Sequence, residues 1–257
     1  MLTNIKELIG LSIDAKDERL GSVADIFFDD HFWTVRYLVV DTSEWLFGRK
    51  VLISPQSADP PNFEEGTIAV DLTADQVRNG PEVGTELPVS RQAETDLVNY
   101  FGWVPYWNPL GAHGRGPTLA PVRTSPDRPQ QPVHEGDPNL RSIEEVTGYH
   151  IAATDGEIGH AEDFLIQLDD WLIRYMVVET GNWFDGKRIL VAPDWIRSID
   201  WDDSRVHVDL TRKAIKNSPE YDPAKPVDRD YERSLYEHYG RTAPWDEKAR
   251  QPHASEG

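Results

Sequence analysis

Short runs of apolar residues alternate along the chain with clusters of Asp, Gly and Pro. SVADIFFD at 22–29 and VRYLVVDT at 35–42, then HAEDFLIQL at 160–168 and IRYMVVET at 173–180, have the β-branched and aromatic content of strands, with Asp-rich turns between them. KVLIS, RILVA, TIAVDL and RVHVDL continue the series at 50–54, 188–192, 67–72 and 205–210. Asp155-Gly156 is a hairpin signal, whereas the corresponding Asp17-Glu18 calls for a longer or different turn. Several short strands within about seventy residues predict a small closed or half-open barrel, because closure hides strand edges. The pattern then turns helical. Thr73 and Thr211 are placed to cap short helices that Pro81 and Pro219 stop, and Ser90 and Asp228 to cap RQAETDLVNYFG and RDYERSLYEHYG, which Gly102 and Gly240 close.

The pattern occurs twice. Shifting the chain by 138 residues aligns Gly10 with Gly148, Gly21 with Gly159, Asp25 with Asp163, Trp33 with Trp171 and Arg36-Tyr37 with Arg174-Tyr175. The same shift carries Trp45 onto Trp183, Val70-Asp71-Leu72-Thr73 onto Val208-Asp209-Leu210-Thr211, and Trp107 onto Trp245. About thirty of every hundred paired positions are identical without a gap. A period this long is a whole domain rather than one turn of a solenoid. The expected organisation is a first domain at 1–107, a Pro/Gly-rich linker at 108–138, a second domain at 139–247 and a disordered tail at 248–257, the linker being too poor in large apolar residues to pack a core.

Composition narrows the chemistry. The formal charge of −19 opposes phosphate backbones and anionic lipid, so the expected partner is a protein with a basic surface, not nucleic acid. The absence of cysteine removes disulfides, thiol catalysis and zinc–cysteine sites and fits a reducing compartment. No apolar run reaches the length of a membrane span and the amino terminus lacks the pattern of a secretion signal, so a cytoplasmic protein is expected.

The glycines at 10, 21, 148 and 159, the VRYLVVDT and IRYMVVET strands, the Trp-x-x-Gly at 45–48 and 183–186, and KVLISP and RILVAP together resemble the PRC-barrel domain, in two tandem copies. The resemblance implies a sheet-dominated fold of two small SH3-like β-barrels, each followed by short helices, that acts by docking to other proteins. It brings no shared catalytic constellation, and fold alone does not set activity.

Candidate sites are correspondingly few. His160-Ala161-Glu162-Asp163 could suggest a metal, yet Ser22 and Ala24 stand at the equivalent places of His160 and Glu162, and strand polarity explains the cluster better. The pairs Asp29-Asp30, Glu64-Glu65, Asp169-Asp170 and Asp202-Asp203 read as solvated turns rather than acid–base dyads. No catalytic, cofactor or metal residue is assigned. Arg36 and Arg174 each lie inside an apolar strand and need a partner, for which Asp25 and Asp163 are the candidates. Trp45, Trp183, Trp33 and Trp171 are candidate interface aromatics, and Trp103, Tyr106 and Trp107 are expected to pack the helical extension on its own barrel. The expected function is non-enzymatic docking or assembly, with pairing of the two barrels inside the chain or homo-oligomers; the alternative is a small-ligand sensor or enzyme with its site between the barrels.

Overall fold

The computed structural model describes residues 2–42, 49–82, 89–107, 139–181 and 186–245. The first repeat forms strands β1 (Leu2–Asn4), β2 (Ser12–Asp14), β3 (Arg19–Asp29), β4 (Thr34–Asp41), β5 (Lys50–Ile53) and β6 (Thr67–Ala69), followed by helices α1 (Ala74–Arg78) and α2 (Arg91–Phe101). The second repeat gives β7 (Leu140–Ser142), the one-turn helix α3 (Ile143–Val146), β8 (His150–Ala153), β9 (Gly156–Gln167), β10 (Leu172–Thr180), β11 (Arg188–Val191), β12 (Ile196–Asp200), β13 (Arg205–Val208), α4 (Arg212–Lys216) and α5 (Arg229–His238).

The chain divides into two compact units, whose limits differ from those of the sequence repeats. Among the described residues, one consists mainly of those within Thr3–Val146 together with Phe164–Arg174, and the other mainly of Thr147–Asp163 together with those from Tyr175 to Trp245. Thus β7, α3 and the tip of the β9–β10 hairpin, all from the second repeat, are packed into the first unit.

Within the first unit the strand order is β6–β2–β3–β4–β5, with β2 parallel to β6 and the other pairs antiparallel. β2 pairs with β3 only as far as Ser22, and β7 takes the free stretch of β3 beyond it, Phe27 opposite Ser142 and Asp29 opposite Leu140. In the second unit the order is β12–β13–β8–β9–β10–β11, again mixed, with β13 parallel to β8. Among the described residues the sheet is open, and no strand pairing closes it into a ring.

Runs of buried residues along these strands build the cores. Ile13, Ile26, Phe28, Leu38 and Ile68 are fully buried in the first unit, and Ile151, Met176, Ile189 and Val206 in the second. Fully burying a side chain of this size contributes about 1.5–3 kcal/mol, so the apolar faces of the strands dominate the stability. Two glycines are dictated by how closely the strands approach. A Cβ on Gly21 would lie 1.9 Å from the Asp41 carbonyl oxygen, and one on Gly159 would lie 1.9 Å from that of Glu179. Both have positive φ, at 144° and 156°.

The helix ends follow the sequence signals. The Thr73 hydroxyl accepts from Gln76 N, and the Gln76 side chain reaches back to the Thr73 amide. Thr211, Ser90 and Asp228 cap α4, α2 and α5, and Gly102 ends α2 in the left-handed conformation at φ 73°.

Candidate functional site

The two strand arginines find partners other than those expected. Arg36 donates from Nη2 to Asp29 Oδ2 at 3.3 Å, not to Asp25. The cause is register: Asp25 lies opposite Val39, whereas Asp29 lies opposite Thr34, two residues from Arg36. Asp25 instead accepts from Ile26 N and Glu144 N on Oδ1, at 2.7 and 3.2 Å, and from the Ser142 hydroxyl on Oδ2 at 2.6 Å. It thereby ties the start of α3 to β3. Arg174 likewise bonds Asp170 and Gln167 rather than Asp163, which is buried. Gln167 stands at the position of Asp29, and Asp170 at that of Phe32.

The Arg36 guanidinium also covers the Tyr106 ring at 4.0 Å and lies 5.8 Å from the Phe32 ring, which accounts for a cation so close to a hydrophobic strand. Tyr106 leads to a polar cluster that sequence reasoning missed. Glu94 on α2 is fully buried, and its Oε1 accepts from the Tyr37 and Tyr106 hydroxyls at 3.0 and 2.9 Å. Its Oε2 lies 3.0 Å from Arg91, whose guanidinium covers the Trp107 ring at 4.2 Å. Burial first, then the Glu94 charge, pushes the Tyr37 hydroxyl far above the ordinary phenol range.

The second repeat builds the same cluster from the same positions. Tyr175 donates to Glu232 at 2.9 Å, Arg229 reaches Glu232 at 3.2 Å, and Arg229 covers Trp245 at 4.2 Å. The recoverable signal was Arg-x-x-Glu at 91–94 and 229–232, repeated together with the strand tyrosine. A charge one helical turn from its counter-ion, facing a tyrosine whose hydroxyl is held protonated by burial, locks a helix onto a strand.

The candidate tryptophans divide. Trp33 and Trp171 stand at the β3–β4 and β9–β10 tips, half-buried, with φ of 53° and 55° that bulky residues rarely adopt. Trp33 packs 5.5 Å from Phe28 and 6.4 Å from Phe164. Trp45 and Trp183 lie outside the described residues. Trp103 and Tyr106 pack the helical extension onto its own sheet as expected, Trp103 Nε1 donating to Ser57 Oγ at 2.6 Å.

The exposed chemistry lies at another hairpin. Phe63-Glu64-Glu65-Gly66 in the first repeat and Trp201-Asp202-Asp203-Ser204 in the second occupy equivalent turns. Phe63 is 43% exposed and followed by two exposed carboxylates, while Trp201, half-buried, is followed by two more. Each turn is pinned alike. Asn62 Oδ1 accepts from Glu65 N at 3.2 Å, Asp200 Oδ1 accepts from Asp203 N at 3.1 Å, and Gly66 and Ser204 both have positive φ. In the second unit Ser198, Ile199, Asp200, Trp201, Asp202 and His207 line a shallow open groove beside this turn. Among the described residues no group of three or more His, Asp or Glu side chains could hold a metal ion, and no helix is long and apolar enough to cross a membrane.

These features define a sheet-dominated module in which the buried carboxylates of Asp25, Asp29 and Glu94 are bonded within the fold and the turns at 63–66 and 201–204 carry paired exposed carboxylates. Residues 3–77, from β1 into α1, match the PRC-barrel domain. An uncharacterized protein of Deinococcus radiodurans is 38% identical over 66 residues, which cover 25% of this chain and 23% of that protein. The matched region stops short of α2 and its polar lock.

Proposed function

We propose that the chain is a non-enzymatic docking protein carrying two copies of the PRC-barrel domain, and that its aromatic–acidic turns at 63–66 and 201–204 engage a basic protein surface. The observation that carries the reading is retention of these turns. Between the repeats Phe63 becomes Trp201, the glutamates become aspartates and Asn62 becomes Asp200, yet an aromatic followed by two carboxylates is kept on the same pinned turn. Trp201 is half-buried 6.0 Å from the Tyr149 ring, but core packing asks for neither the exposed Phe63 nor the four exposed carboxylates. An aromatic beside carboxylates is what a Lys- or Arg-rich partner meets well, the rings taking cations and stems while the charges steer the encounter. The chain's charge of −19 favours such a partner at long range.

The test is a titration of the 15N-labelled full chain with a Lys/Arg-rich peptide and, separately, with a neutral peptide of equal length. The Trp201 indole N–H resonance, assigned with a Trp201→Phe variant, is expected to move only with the basic peptide and to move less as salt is raised. An unchanged Trp201 resonance, or equal shifts with both peptides, overturns the proposal.

A further inference from the structure

The tips of the β3–β4 and β9–β10 hairpins meet inside the first compact unit, and their contact is reciprocal. Val35 N donates to the Trp171 carbonyl at 2.9 Å, and Ile173 N donates to the Trp33 carbonyl at 2.7 Å. Thr34 and Leu172 face each other between these bonds on antiparallel strands. The 138-residue shift that aligns the repeats turns Val35 into Ile173, Trp33 into Trp171 and Thr34 into Leu172. Each bond is therefore the other seen from the opposite repeat. The strand exchange is reciprocal too: β7 of the second repeat pairs with β3 of the first, and β1 of the first pairs with β9 of the second.

We propose that each repeat carries a self-complementary surface, centred on the Trp33 and Trp171 hairpin tips, that takes the equivalent surface of the other repeat and holds the two together without the chain between them. A contact in which residue i meets j and j meets i is isologous, the form that two identical subunits make around a two-fold axis. A chance contact between non-equivalent faces has no reason to obey this rule. Two features argue that the surface is built rather than incidental. Both tips hold a tryptophan at positive φ, a conformation kept only where the surroundings compensate for it, and here each tryptophan carbonyl is engaged by the other hairpin. The buried Asp25 carboxylate of the first repeat also caps α3 of the second through Ser142 and Glu144. Neither repeat thus completes its own edge, and chain continuity through 108–138 is dispensable once the surfaces have met.

The experiment uses the full chain with a protease site inserted near residue 125. After cleavage, the fragments are expected to co-elute at the mass of the intact protein and to separate only in denaturant. Fragments that separate in native buffer overturn the proposal. A second measurement does not depend on the cleavage site. The chain contains no cysteine, and facing residues on antiparallel strands are within disulfide reach. Thr34→Cys with Leu172→Cys is expected to close under mild oxidation and hold the cleaved fragments as one band on a non-reducing gel, whereas each single variant leaves two. If the double variant stays reduced while both thiols remain accessible to a labelling reagent, the surfaces do not meet and the proposal fails.

Discussion

The same helix lock is built twice, and its two versions differ in depth. In the first repeat Glu94 is sealed from solvent beneath the Tyr37 and Tyr106 hydroxyls; in the second Glu232 keeps 14% of its side-chain surface exposed, because Pro244 stands where Tyr106 does. A second exchange accompanies the first. Trp103 stacks on Phe101 at 4.5 Å in the first repeat, while in the second its place is taken by Arg241 and the ring against Tyr239 is Trp195, at 4.9 Å. Ser57 occupies the Trp195 position in the first repeat, so the bulk moves from the barrel-side turn to the helical tail while the aromatic pair survives. Duplication preserved the interaction and not the residue that supplies it. A core specifies filled volume and satisfied polar groups, and more than one chain position can deliver either.

The comparison is sharpest where both repeats are expected to behave alike. Gly21→Ala and Gly159→Ala each force a Cβ into a carbonyl oxygen at positive φ, and each is expected to lower stability by about 4 kcal/mol, read from denaturant midpoints. A small effect in one repeat alone would show that its strands are free to move apart. The locks should then part company. Glu94→Ala removes the carboxylate from Arg91 and from the Tyr37 and Tyr106 hydroxyls and is expected to cost about 3 kcal/mol, against about 1 kcal/mol for the more exposed Glu232→Ala. Equal losses would remove Tyr106 as the cause of the difference.

Alkaline pH divides the repeats again. Burial raises the hydroxyls of Tyr37 in the first repeat and of Tyr175, Tyr231 and Tyr239 in the second, Tyr239 to about 12. These folded-state values exceed the unfolded value of 10.0, so the unfolded chain releases its protons first. Stability is therefore unaffected by them below about pH 10 and falls as pH rises beyond it, by on the order of 1 kcal/mol per pH unit for each tyrosine. Near-ultraviolet absorbance is expected to show the phenolates appearing together with unfolding, and loss of Tyr175, Tyr231 and Tyr239 by substitution to Phe should flatten the decline more than Tyr37→Phe does. The smallest stability effect belongs to the exposed turn, where Glu64→Lys with Glu65→Lys is expected to shift stability by less than about 0.5 kcal/mol while weakening any binding to the basic peptide.

Much of this architecture was legible in the chain. The strands, the caps at Thr73, Ser90, Thr211 and Asp228, and the glycines at 21 and 159 depend on residues close in sequence or on patterns present twice. The partners of Arg36 and Arg174 were not legible: in the first repeat the register skips Ala24 on β3 and Arg36 on β4, which sets Asp25 opposite Val39 and Asp29 opposite Thr34. The Tyr37–Glu94 bond spans 57 residues, and only the recurrence of the tyrosine with Arg-x-x-Glu in the second repeat points to it. The turns at 63–66 and 201–204 were read as solvated carboxylates, correctly for the acids, but the aromatic at their head gained meaning only when its exposure was known.

What the sequence determined by itself was the repeat, its strand-then-helix order and the acidity of its surface, since periodicity, capping and charge are properties of neighbouring residues or of simple sums. Only the tertiary structure decided that β7, α3 and the β9–β10 tip of the second repeat complete a unit made mostly of the first. The pairing of Thr34 with Leu172 was likewise invisible beforehand. Strands of equal apolarity can satisfy their edges within one repeat or across two, and the choice rests on register and on the geometry of whole hairpins, which no local pattern encodes.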